Sequence, residues 1–147
     1  MTPDVHDDTH SHAHSRYILA ISNVFVLVPI AYAPTKIKVG LLVFSACASV
    51  FMHMTETKHG IVPPARFARW SILALNIDRI AALATAFAFG WAWLESRCVA
   101  PIVLLTVGLV ASALGELSSH VPTYVALHLA WHAAAYGSVF IVVQTIS

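Results

Sequence analysis

Five apolar runs, at 17–33, 36–54, 73–94, 98–117 and 121–146, take up most of this chain. Each approaches the roughly 20 residues that a helix, rising about 1.5 Å per residue, needs to cross a hydrocarbon core of about 30 Å. The runs are rich in Ala and Leu and do not alternate polar with apolar, so they read as helices rather than barrel strands. Pro34, Pro63, Pro64, Pro101 and Pro122 fall between runs or in a first helical turn, where a missing N–H costs least. The sequence therefore predicts an all-α, polytopic transmembrane bundle of five spans. Composition points the same way: 59% of the 147 residues are hydrophobic and 10% charged, against roughly 25% charged in an ordinary soluble domain. The 8 Lys and Arg nearly cancel the 7 Asp and Glu, which leaves no basic face for nucleic acid. Cys47 and Cys98 lie in or beside apolar runs without paired spacing, so they suggest neither a disulfide framework nor a cysteine-based zinc site.

Residues 1–15, with four histidines among Asp4, Asp7 and Asp8, read as a disordered, solvated tail, and 16–147 as a single transmembrane helical domain. Arg16, the first apolar run and Ala31-Tyr32-Ala33 imitate a secretory signal. The acidic, His-rich residues before the run and Pro34 after it favour a span instead. Residues 65–70, where Arg66 and Arg69 adjoin Phe67 and Trp70, fit a short interfacial segment. Five spans fix the relative sidedness of every loop. The amino-terminal side carries Arg16, Lys58, Arg66 and Arg69 against Lys36, Lys38 and Arg97 opposite, an excess that predicts a cytoplasmic amino terminus in an integral membrane protein.

Ionisable residues inside a bilayer cost about 2.5 kcal/mol or more and usually mark a site. Here His53, Asp78, His128 and His132 fall on three different spans, all toward the amino-terminal side. His128 and His132 are four apart and share one helical face, and Ser45, Ser49 and His53 form a polar stripe at the same step. Tyr124 and Tyr136 extend the stripe on the last span in both directions. Three imidazoles and a carboxylate converging in a dry pocket suit a borderline-soft divalent ion, with three nitrogen ligands at about 2.0 Å and an open fourth position. Each histidine alone reads as a packing residue hydrogen-bonded to a neighbouring helix rather than as a ligand; their convergence reverses this and favours a metal. Ser49 alone reads as a hydroxyl bonded back to its own helix. Arg79 reads as snorkelling to the interface or pairing with Asp78 or Glu116, and Glu116, His59 and His120 as solvated loop-edge residues. Trp91 and Trp93 read as part of an interfacial belt.

Ser49-Val50-Phe51-Met52-His53, then Asp78, then His128-Leu129-Ala130-Trp131-His132 resemble the three-part signature of the CREST superfamily: Ser-x-x-x-His, Asp, His-x-x-x-His. That superfamily joins alkaline ceramidases, adiponectin and progestin receptors, post-GPI-attachment lipases and the myomaker group. The stretch YVALHLAWHAAAYGS, 124–138, looks most like the last helix of the myomaker group. The resemblance implies zinc held by His53, His128 and His132, with Asp78 binding or orienting water at the metal and Ser49 hydrogen-bonding beside it. It further implies a membrane lipid substrate with an amide or ester near its headgroup. The family has seven spans, three of them between the Asp and His-x-x-x-His positions where the third and fifth spans here have only one between them. The chain thus reads as a CREST-like core lacking two helices, its thinned wall left open or supplied by a second copy in a homo-oligomer. Met54-Thr55-Glu56 also departs from the myomaker pattern.

Three functions remain open on the sequence. The first is a zinc-dependent, membrane-embedded lipid amidase or esterase, with Asp78 as general base and Ser49 as donor to the developing oxyanion. The second is a non-catalytic, receptor-like, fusion-related or assembly-related protein stabilised by zinc. The third is a b-type haem electron carrier, in which His53 pairs with His128 or His132 across the iron.

Overall fold

The computed structural model describes residues 8–57, 63 and 65–146, without the side chains of 8–13, 95, 96 and 146. Among the described residues every regular element is helical. In chain order these are α1 (Asp8–Ser22), a 3-10 turn (Asn23–Val26), α2 (Leu27–Tyr32), α3 (Lys36–Thr55), α4 (Ala65–Ala68), α5 (Ser71–Ser96), α6 (Ala100–Leu117) and α7 (Val121–Ile146). Five segments are long and apolar enough to cross a membrane: His14–Tyr32, Lys36–Thr55, Ser71–Leu94, Ala100–Leu117 and Val121–Thr145. The first begins three residues earlier than the sequence suggests, and the third two residues earlier. Residues 1–7 of the expected tail lie outside the described residues, as do Lys58 and His59; α1 starts at Asp8.

Local chemistry sets the breaks. The first span is not one uninterrupted α-helix, because Pro29 offers no N–H to the carbonyl four residues back and its ring crowds that carbonyl. The chain tightens into the 3-10 turn one turn earlier. Ala33, held extended ahead of Pro34 (ψ 126°), closes α2. Thr35 then caps α3, its hydroxyl accepting from the Lys38 N–H at 3.2 Å. At the far end of α5, Arg97 takes a left-handed conformation (φ 51°) that turns the chain into α6. Pro101 occupies the first turn of α6.

Helix α6 lies close along α7 because Gly108 presents no side chain to Ala134 and Trp131. A Cβ added at Gly108 would stand 2.9 Å from the Ala134 Cβ and 3.0 Å from the Trp131 ring. The Ser138 hydroxyl further ties α7 to the Pro101 carbonyl at 3.0 Å. On the other side α3 packs against α5, and the first span packs against α3 and α7. Two apolar clusters result, one around Leu19, Val121, Tyr124 and Val125, the other around Val26, Leu42, Phe89, Tyr136 and Val143. His128 and His132 fall between them along α7. The outward faces stay apolar, Phe87 being 87% exposed and Leu117 83%. Water would penalise such a surface and lipid does not.

Candidate metal centre

The stripe expected on the second span is present: Ser45, Ser49 and His53 are all buried, with His53 fully removed from the surface at 0% exposure. Helix α7 brings His128 and His132 to the same point from the opposite side, both buried. The three imidazoles stand edge to face around a common centre, with ring centroids 4.7 Å apart for His53–His128, 4.8 Å for His128–His132 and 5.4 Å for His53–His132. One ligand atom from each lies within 4.8 Å of the others, so the group could hold a metal ion. A tetrahedral ion with bonds of about 2.0–2.1 Å would set its nitrogens roughly 3.4 Å apart, a contraction within reach of imidazoles turning about χ2.

His53 Nε2 is buried and has no hydrogen-bond partner. Leaving such a nitrogen unsatisfied costs about 1–3 kcal/mol, and a bound cation would remove that cost. The three imidazoles, with one nitrogen left unpartnered, are thus a donor set that a metal ion would fit. Ser49 Oγ lies 3.4 Å from His132 Nε2. Asp78, on α5, lines a partly open cleft of about 460 Å³ together with Ser49, His128 and His132. It stands outside the compact three-histidine group. The cleft lies between α5 and the α6–α7 pair and continues past Phe89 to Trp93 and Val142. A smaller cavity of about 220 Å³ adjoins Glu56 and Tyr124, and Met52, Leu75 and Glu116 line both.

Three residues that the sequence reading did not place in the site support it. Helix α3 ends at Thr55, whose hydroxyl caps the Met52 carbonyl at 2.9 Å. The next residue, Glu56, is extended (ψ 134°) and folds its side chain back under the helix end. Its carboxylate lies 3.2 Å from His53 Nδ1 and accepts from the Tyr124 hydroxyl at 2.5 Å. Burial alone would raise the Glu56 carboxyl, but the hydrogen bonds from His53 and Tyr124 outweigh it and hold the group below its ordinary value. Ser22, at the end of α1, places its hydroxyl 2.6 Å from His132 Nδ1. Beside it Asn23 Oδ1 accepts from the Tyr136 hydroxyl at 2.9 Å. The His-x-x-Glu spacing from 53 to 56 was a usable signal for Glu56; Ser22 lies 110 residues from its partner and had none.

Of the remaining expectations, Glu116 and His120 are exposed, and His120 Nδ1 lies 3.0 Å from the Thr123 hydroxyl. Trp91 faces outward, whereas Trp93 packs partly against the apolar cluster. Arg16, counted among the charges of the amino-terminal side, is buried with its guanidinium 5.0 Å from the centre of the Tyr17 ring. No family model, curated protein or solved structure matches the chain.

Proposed function

We propose that the chain is a zinc-dependent, membrane-embedded hydrolase that cleaves an amide or ester bond of a lipid. The observation that carries this reading is the buried three-histidine group opening onto a cleft that Asp78 lines and that runs along the apolar interior. His53, His128 and His132 would hold zinc, a borderline-soft ion suited to three imidazoles. When bound there, zinc lowers the pKa of water to about 7 and polarises a carbonyl. Asp78 serves as general base, and the Ser49 hydroxyl donates to the oxygen on which negative charge develops. The arrangement of these residues resembles the CREST signature, which supports the assignment.

The shape of the cleft supports a lipid. From Asp78 to Trp93 it follows α5 for 15 residues, roughly 22 Å at the helical rise. Its deep end is apolar, and the smaller cavity bounded by Glu56, Glu116 and Tyr124 lies at the headgroup end. We read the space between α5 and α6 as the lipid entry rather than the seat of a second copy, and the amino terminus as cytoplasmic.

A structural role for the same metal is the second reading. The site already ties α3 to α7 and, through Ser22, to α1. Haem fits poorly, because rings centred 4.7–5.4 Å apart leave no slot for a macrocycle between them.

Turnover of fluorescent ceramide and phospholipid esters by detergent-purified protein separates the two. Hydrolysis lost in Asp78→Asn with zinc retained establishes the catalytic reading. Zinc retained with no turnover of either lipid, and a large fall in melting temperature on chelation, establishes the structural one.

A further inference from the structure

We propose that Glu56 and Ser22 are positioning residues that hold His53 and His132 in the Nδ1–H form, so that both imidazoles present Nε2 to a metal. The inference rests on the metal reading above and adds two residues to it, one from the end of α3 and one from α1.

Proton counting assigns His132. The Ser22 hydroxyl has a single proton, and it donates that proton to the Leu19 carbonyl at 2.6 Å. Toward His132 Nδ1, also 2.6 Å away, the same oxygen can only accept. Nδ1 therefore carries the ring proton and Nε2 carries the lone pair. The Ser49 hydroxyl, 3.4 Å from Nε2, is left as a donor to it. Ser22 reaches this point because α1 gives way to the 3-10 turn there, which places Ser22 and Asn23 side by side against α7.

Acceptor chemistry assigns His53. Both Glu56 oxygens are engaged as acceptors, Oε1 by the Tyr124 hydroxyl and Oε2 by His53 Nδ1. An ionised carboxylate has no proton to give, so Nδ1 is the donor. The opposite nitrogen, Nε2, is the buried atom with no partner. Carboxylate and hydroxyl acceptors behind metal-ligating histidines fix ring orientation and raise ligand basicity. Two such acceptors, arriving from different helices on different histidines, leave both Nε2 atoms at the three-histidine centre.

The test begins with the metal-free, full-length protein in micelles, where imidazole ¹⁵N shifts distinguish the two neutral tautomers without any substitution. Nδ1–H is expected at both His53 and His132. Zinc affinity is then measured against a chromophoric chelator. Glu56→Ala and Ser22→Ala are each expected to weaken it by roughly 10–100-fold. Glu56→Gln keeps an oxygen for His53 and offers its amide to Tyr124, so it should retain the Nδ1–H form and fall between Glu56→Ala and wild type. An Nε2–H tautomer at either histidine in the wild-type protein overturns the proposal, as does wild-type affinity in both alanine variants. Nδ1–H at both positions with no zinc uptake by wild type upholds the tautomer assignment and overturns the metal reading instead.

Discussion

At the scale of single residues, the atoms behind the three imidazoles satisfy one another, while one imidazole nitrogen has no partner. That nitrogen is His53 Nε2, and beside it Glu56, Tyr124, Ser22 and His132 are hydrogen-bonded. The Tyr124 hydroxyl is one of two donors to Glu56, and a hydrogen bond to a charged acceptor contributes about 1.5–3 kcal/mol. Tyr124→Phe should therefore destabilise the protein by that amount, read as a lowered unfolding midpoint, while leaving the three histidines in place. What the sequence revealed at this scale follows from periodicity. Ser49 and His53, and His128 and His132, are each four apart, and a four-residue step on a helix is a shared face whatever the rest of the fold does. Glu56 had only its His-x-x-Glu spacing from His53 as a local signal, and its contact with His53 depends on α3 ending at Thr55 and the chain turning back. Ser22 meets His132 through the packing of the first span on the last, which no local spacing encodes.

At the scale of the helix, two positions limit how the bundle closes. Gly108 lets α6 approach α7, and an added Cβ there meets Ala134 and Trp131 at 2.9 and 3.0 Å. Gly108→Val should overpack this contact and cost about 1–3 kcal/mol. Trp131 adjoins His132 in the chain, so the same variant should also weaken metal binding, measured by chelator competition. Arg97 is held at φ 51°, where a side chain costs roughly 1–2 kcal/mol relative to glycine. Arg97→Gly should raise stability by about 1 kcal/mol in thermal unfolding, and a lower midpoint would show that the Arg97 side chain makes a compensating contact. The helices themselves were legible because length and apolarity suffice to define a span. The break in the first span was not anticipated, since Pro29 lies inside an apolar run whose hydropathy conceals it, and that break sets Ser22 against the site.

At the scale of the whole molecule, five spans bury the three histidines but leave the cleft that His128 and His132 line partly open between α5 and the α6–α7 pair. Burial of the histidines and openness of the cleft are thus separate properties of one bundle, and the proposed function lets them be tested separately. Ala86, on α5 about two turns beyond Asp78, lines the cleft. Ala86→Trp should fill the path of an acyl chain, raising KM for long-chain substrates several-fold while zinc content stays at the wild-type value. Loss of zinc in that variant would mean that cleft and metal centre are not separable in this way. Because imidazoles must be deprotonated to ligate, affinity for a metal at this centre should also fall as pH is lowered, read by chelator competition across a pH series.

The central claim is that His53, His128 and His132 form a metal centre, and metal content with an absorption spectrum tests it most directly. Full-length protein and His128→Ala/His132→Ala are compared, with His6, His10, His12 and His14 replaced by alanine in both so that the amino-terminal histidines bind nothing. About one zinc per chain in the parent, lost in the double variant and without a Soret band, is the predicted result. Absence of metal from the parent, equal zinc in both proteins, or a Soret band would contradict the account.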